Sequence, residues 1–119
     1  MEEIIVMRDG QKDLKFKGEL LASASDRWIA GREQTRWTEI AVYKTESGKY
    51  VIAWESITLW QGELNGYHAK VCELAPEVIA ELMTDDAEGV AYFSDLAKEV
   101  LDELAKSDER FKALLYEEV

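Results

Sequence analysis

The sequence is short of what most catalytic and metal-binding kits require. His68 and Cys72 are the only histidine and cysteine among 119 residues. A structural zinc site takes four such ligands, so no metal centre and no cofactor is expected. A lone cysteine excludes an internal disulfide and suits a reducing compartment. No Gly-x-Ser-x-Gly elbow, Walker loop or Gly-x-Gly-x-x-Gly turn occurs. No run approaches the roughly 20 apolar residues that span a bilayer. The opening MEEIIVMRDG has neither the basic region nor the cleavage site of a signal peptide. A cytoplasmic location, in a bacterium or the bacterial host of a mobile element, is the expectation. Bases are scarce too: 14 Lys and Arg stand against 25 Asp and Glu, a net charge of −11. That argues against direct contact with nucleic acid or anionic membranes, both of which recruit basic surfaces.

What is present suits one globular domain over residues 1–119, long enough to bury a core unaided. The first half reads as strands. EIIVM is a short apolar run closed by the turn RDGQ, and DLKFKGEL alternates apolar and polar residues with the period of two of a half-buried strand. ASASDR reads as its end, Trp28 and Ile29 are candidates to start another strand, and AGREQTR reads as a loop. WTEIAVYK and KYVIAWES are rich in β-branched and aromatic residues, and TESG between them supplies hairpin chemistry. Ile40 and Val42 share one face while Trp37, Ala41 and Tyr43 share the other, which marks a central strand. The Asn65-Gly66 pair signals a further turn, with YHAKVCEL as the last strand.

The period then changes. Pro76 suits the first position of a helix, PEVIAELM, and TDDAEG ends it. Ser94 is an N-cap for DLAKEVLDELAK, whose Leu96, Val100, Leu101 and Leu104 recur at helical spacing. Ser107 is a cap for a last helix, DERFKALLYEE. Strands over about 2–74 and helices over about 76–118 make an α+β fold: an antiparallel β-meander of four to six strands, with two or three C-terminal helices packed on one face.

Several constellations could carry chemistry, and each has a plainer reading. On one strand, His68 and Cys72 would share a face but stand about 13 Å apart, too far for a nucleophilic dyad; a surface histidine and a buried thiol is the plainer view. Asp85, Asp86 and Glu88 suggest a calcium loop but lack EF-hand spacing. Glu39 and Glu55 could approach across the hairpin as an acid–base pair, or be solvated carboxylates. The four tryptophans are mostly candidates for the core, Trp60 being the one equally suited to a binding surface because it precedes a loop. Arg27, Arg32 and Arg36 could bind an anion, or pair with the protein's own acids. No catalytic residue is assigned.

Charge is the sharpest feature. Residues 1–60 hold nine bases and ten acids, whereas residues 61–119 hold five and fifteen. On the helix that follows Ser94, Asp95, Glu99 and Asp102 fall in one narrow band, with Glu103 beside them. Like charges at i and i+4 repel. The helix dipole favours Asp95 but not Asp102 or Glu103. Either this is a solvated face, or a negative field that draws in a basic partner. The partner-binding set expected on the second view is Asp85, Asp86, Glu88, Asp95, Glu99, Asp102, Glu103 and Trp60.

RWTEIAVYKTESGKYVIAW, then WQGE and VCELAPEVIAEL, resembles a group of small bacterial proteins called EXLDI proteins. The likeness covers residues 36 to 82. The group's naming motif, Glu-x-Leu-Asp-Ile, is absent from this chain, which ends LLYEEV. The resemblance implies a small cytoplasmic α+β domain and no particular activity. The reading that follows is a non-enzymatic acidic interaction domain. It would dock on a basic surface of a nucleic-acid-binding protein, as DNA-mimicking inhibitors of the anti-CRISPR or anti-restriction type from bacteriophage do. An immunity protein against a nuclease toxin would use the same physics. A small-ligand or carboxylate-based domain, built on Glu39 or Glu55 at a pocket between sheet and helices, is the alternative of a different class.

Overall fold

A strand with apolar groups on both faces must be covered on both, and the fold follows from that demand. The computed structural model describes residues 1–117 and 119. In chain order the elements are β1 (Glu2–Val6), β2 (Leu14–Ser25), β3 (Trp28–Ile29), β4 (Arg32–Glu33), β5 (Arg36–Thr45), β6 (Tyr50–Thr58), β7 (Gly66–Cys72), α1 (Ala75–Leu82), β8 (Met83–Asp85), β9 (Ala91–Phe93), α2 (Asp95–Ser107) and α3 (Glu109–Leu115). Five strands form one antiparallel sheet in the order β1-β2-β5-β6-β7, and the three helices follow it, so the class is α+β with a meander sheet. The expected helical stretch stops at Leu115, and its last expected residue, Glu118, lies outside the described residues. No described helix is long and apolar enough to cross a membrane.

The sheet's two faces have separate cores. On one, Ile40 and Val42 of β5 and Tyr50 and Ile52 of β6 meet Val78 of α1, Val100 and Leu104 of α2 and Phe111 of α3, all buried. On the other face, Val51 and Ala53 of β6 and Ala69 of β7 pack against Val6 of β1, with Leu14, Phe16 and Tyr43 beside them. Contact between the first and last strands of the sheet requires it to curl. Asp9 closes the curl: its N–H donates to the Tyr67 carbonyl and its carboxylate accepts from the Tyr67 N–H, both at 2.9 Å.

Asp108 joins the helices to the sheet. Its carboxylate accepts from the buried Tyr50 hydroxyl at 3.1 Å and lies 3.6 Å from the Lys44 ammonium. It also caps α3, accepting from the Arg110 N–H at 2.8 Å. Ser107 is therefore not the cap expected; it ends α2, and its hydroxyl donates to the Leu21 carbonyl at 2.8 Å. Ser94 does cap α2, accepting from the Ala97 N–H at 3.1 Å. Pro76 sits second in α1, still within the first turn, where a missing N–H goes unnoticed.

Other boundaries differ for physical reasons. β2 continues through the Ala22–Ser25 stretch that reads as a break, with a bulge between Leu20 and Ala22. The low strand propensity of Ala and Ser is overridden because Ala22 and Ala24 face the helices, where small side chains let α2 approach. Asn65-Gly66 is not a two-residue turn. Residues 59–65 form a longer loop, which Asn65 braces by accepting from the Thr58 N–H at 3.0 Å. AGREQTR is not all loop: Trp28 pairs with Glu33 and Ile29 with Arg32 around a turn at Ala30 and Gly31, both at positive φ. A second small hairpin, β8 with β9, stands within the helical half.

Three substitutions test this scheme. Gly18 is buried opposite Thr45, and a Cβ there would lie inside van der Waals contact of the Lys44 carbonyl oxygen. Gly18→Ala is expected to destabilise the fold by about 1–3 kcal/mol through overpacking. Tyr50→Phe removes a hydrogen bond to a carboxylate and is expected to cost roughly 1.5–3 kcal/mol. Asp108→Ala, which also removes a helix cap, is expected to cost more than Tyr50→Phe. Urea unfolding midpoints would rank the three.

Candidate functional site

The acids expected to meet a partner are divided between the β8–β9 hairpin and α2. Asp95 is the first residue of α2, where the positive end of the helix dipole favours it, and Glu99 is one turn on; both are exposed. Asp102 accepts from the Tyr116 hydroxyl at 3.2 Å and shares its surroundings with Lys106 and Lys112. That part of the helix has mixed sign and does not extend the negative field. Glu103 is exposed beside it. Asp86 shapes the β8–β9 turn, its Oδ1 accepting from the N–H groups of Glu88 and Val90 at 2.8 and 2.9 Å. Asp85 ends β8, and Glu88 is exposed in the turn.

A groove of about 870 Å³ gathers Asp95 and Glu99 with residues that lie far away in sequence. One wall is the N-terminal end of α2, from Ser94 to Glu99. Another is the β3–β4 hairpin with Trp28, Ile29 and Ala30. The floor is the end of the sheet, with Thr38, Ile40 and Trp54, and the junction of α1 and β8, with Leu82, Met83 and Thr84, completes it. Trp28, Ile29 and Met83 in its walls are 61%, 54% and 46% exposed, so large apolar side chains meet solvent there. The groove also has four acids in its walls, Asp26, Glu81, Asp95 and Glu99, and no lysine or arginine. Asp26 is occupied, accepting from the Thr38 N–H at 2.6 Å, and Glu81 pairs with Lys70. Asp95 and Glu99 have no such partner among the described residues.

Trp60 is not part of these walls. It lies in the β6–β7 loop, with the Arg36 guanidinium 5.2 Å from its ring centroid. The cluster of arginines is largely consumed internally: Arg27 pairs with Glu33 at 3.3 Å and Arg36 with Glu63 at 2.9 Å. Arg36 holds the Glu63 carboxyl below its ordinary range, chiefly by hydrogen bonding. Trp28 is the residue that sequence reasoning placed in the core and the structure places outside. Its neighbours Ala30 and Gly31 carry the one available signal, a tight turn that lifts a tryptophan off the sheet.

The carboxylate pair is real but faces away from the helices. Glu39 and Glu55 are direct partners in the β5–β6 register. They line a cavity of about 440 Å³ on the curled face with Ser23, Ser25, Met7 and Tyr43. Burial, then the negative charge of Glu55, pushes the Tyr43 phenol above its ordinary pKa. His68 stacks near Trp54 with ring centroids 5.1 Å apart, while Cys72, on the same strand, is fully buried. Burial, then Glu77 and Glu81, pushes the Cys72 thiol up as well. No group of three or more His, Cys, Asp and Glu side chains among the described residues is placed to hold a metal ion. Comparison with protein-family models, curated proteins and solved structures finds no match for this chain.

The raised Tyr43 and Cys72 values have one sign. A group whose pKa is raised on folding contributes stability that is present below its unfolded pKa and lost as pH rises through the folded one. Stability is therefore expected to decline as pH rises above the ordinary thiol and phenol values, with a shallower decline in Tyr43→Phe and in Cys72→Ala. Urea midpoints at stepped pH would show it, and an unchanged slope in both variants would exclude these groups as the cause.

Proposed function

We propose that this chain is a non-enzymatic interaction domain that docks on a basic surface of another protein through the groove at the start of α2. The observation that carries the reading is the composition of the groove walls: four acids, no base, and three large exposed apolar side chains. Apolar area desolvated at a centre and charge at a rim is the anatomy of a protein interface, with tryptophan the commonest kind of anchor. A net charge of −11 adds long-range attraction for a basic partner and speeds encounter.

Nucleic-acid-binding proteins carry such basic surfaces as a class. Occupying one of them would make this chain an inhibitor, either of a host defence nuclease, on behalf of a phage or plasmid, or of a toxin nuclease, as an immunity protein. The physics of the two is the same. Gene neighbourhood separates them: a toxin gene beside this one favours immunity, a phage or plasmid setting favours defence inhibition.

Reversal of charge tests the reading. Asp95→Lys with Glu99→Lys is expected to weaken retention of a basic partner by about tenfold or more at low salt. The same change in net charge at Glu2 and Glu19, exposed on β1 and β2, is expected to leave most of it. Retention that ignores both salt and the groove variant would end the proposal.

A second reading has its own observation, the cross-strand Glu39–Glu55 pair at the cavity on the curled face. It would take a small organic cation. Calorimetric titration with a series of alkylammonium ions should show binding that Glu55→Gln removes, and no heat with any of them would dispose of it.

A further inference from the structure

The chain holds two of its own arginines in the same manner. Arg27 lies over the Trp37 ring, 4.9 Å from its centroid, and reaches the Glu33 carboxylate at 3.3 Å. Arg36 lies over the Trp60 ring at 5.2 Å and grips Glu63, its Nε 3.0 and 3.1 Å from the two oxygens and a terminal nitrogen 2.9 Å from one of them. In each case a guanidinium lies over an indole ring while its nitrogens reach a carboxylate. Both pairs use residues next to the turns and strand ends from which the groove is built: Arg27 adjoins Trp28, and Arg36 begins β5.

The groove contains the same two components without the third. Trp28 is 61% exposed, and Asp95 and Glu99 stand in the same walls with no cation among them. Arg32, on the same hairpin, is paired with Ile29 across the ladder and is not in the groove walls. We infer that this third set receives an arginine from the partner, its guanidinium laid on Trp28 and its edge toward Asp95 and Glu99. The inference rests on the reading that the groove docks a basic surface, and adds which cation is read there. Arginine is favoured over lysine because its plane stacks on an aromatic face, its fork matches carboxylates, and it is less strongly hydrated than an ammonium. Leucine-sized neighbours in the partner would cover Ile29 and Met83.

The test uses the full chain and three probes: a short acetylated peptide with two arginines flanked by leucines, its lysine twin and its citrulline twin. The arginine peptide is expected to bind about tenfold tighter than the lysine twin at equal ionic strength, and the citrulline twin not measurably. Trp28→Ala is expected to erase the arginine preference and leave weak, salt-sensitive binding of both cationic peptides. Trp28→Phe, which keeps a smaller ring, should restore part of the preference. Trp28 is largely exposed, so circular dichroism should show the fold unchanged in both variants. Equal binding of arginine and lysine peptides, or a preference that survives Trp28→Ala, would overturn the arginine assignment while the basic-docking reading stood. Failure of both cationic peptides to bind the unaltered chain would overturn both.

Discussion

The β5–β6 pair is apolar on both of its faces, and almost everything else in the molecule answers that constraint. Ile40, Val42, Tyr50 and Ile52 look one way, and Tyr43, Val51 and Ala53 look the other. A sheet of five strands has no second sheet to lie against, so two devices cover it. The helices take the first face. The second face is covered by the sheet itself, which curls until β1 reaches β6 and β7. Asp9 and Asp108 hold the two devices in place, one by closing the curl on Tyr67, the other by joining Tyr50, Lys44 and the start of α3. Two acids thus tie together elements far apart in the sequence.

Coverage of this kind runs out at one end. Where β2 ends at Ser25 and β5 begins at Arg36, this end of the sheet is bridged by the tiny β3–β4 hairpin. Across from it, α2 begins at Asp95, directly after the equally small β8–β9 hairpin. Each hairpin leaves apolar residues short of the core, so Trp28, Ile29 and Met83 remain partly in water, while Phe93 of β9 packs against it. The groove is the gap between two covering devices. Its two acids unpaired among the described residues, Asp95 and Glu99, come from the start of α2, where Asp95 opposes roughly half a positive charge of backbone dipole.

Most of the architecture is legible in the sequence because the physics there is local. Period-two alternation in DLKFKGEL, the TESG turn between two β-branched runs, and Ser94 ahead of a leucine stripe each report an element from its own residues. The misses share a cause. Ala22–Ser25 is strand only because a helix needs small residues beneath it, and the strands of two and three residues exist only as rungs of hairpins. The candidate site is less legible still. Asp95 and Glu99 can be picked out from their helical spacing. Trp28, however, belongs with them through a tertiary juxtaposition that no window of sequence contains. Trp60 is exposed, yet its ring is already taken by Arg36.

The acids can then be weighed one at a time by what they do for the fold. Asp86 shapes a turn, Asp102 meets a tyrosine hydroxyl among lysines, Asp26 tethers β5, Glu81 pairs with Lys70, and Asp95 suits a helix start. Glu99 has no such account. It sits four residues after Asp95 on the same helix, where two like charges destabilise by a few tenths of a kcal/mol, and Lys98 beside it faces elsewhere on a cylinder with 3.6 residues per turn. A neutral or basic residue at that position would serve the helix better. Trp28 presents the same kind of anomaly in apolar form, a large side chain left in water that a smaller polar residue would avoid. Two residues that each work slightly against stability, from distant parts of the chain, line one groove. They are the carboxylate and the indole that the proposed arginine would engage together.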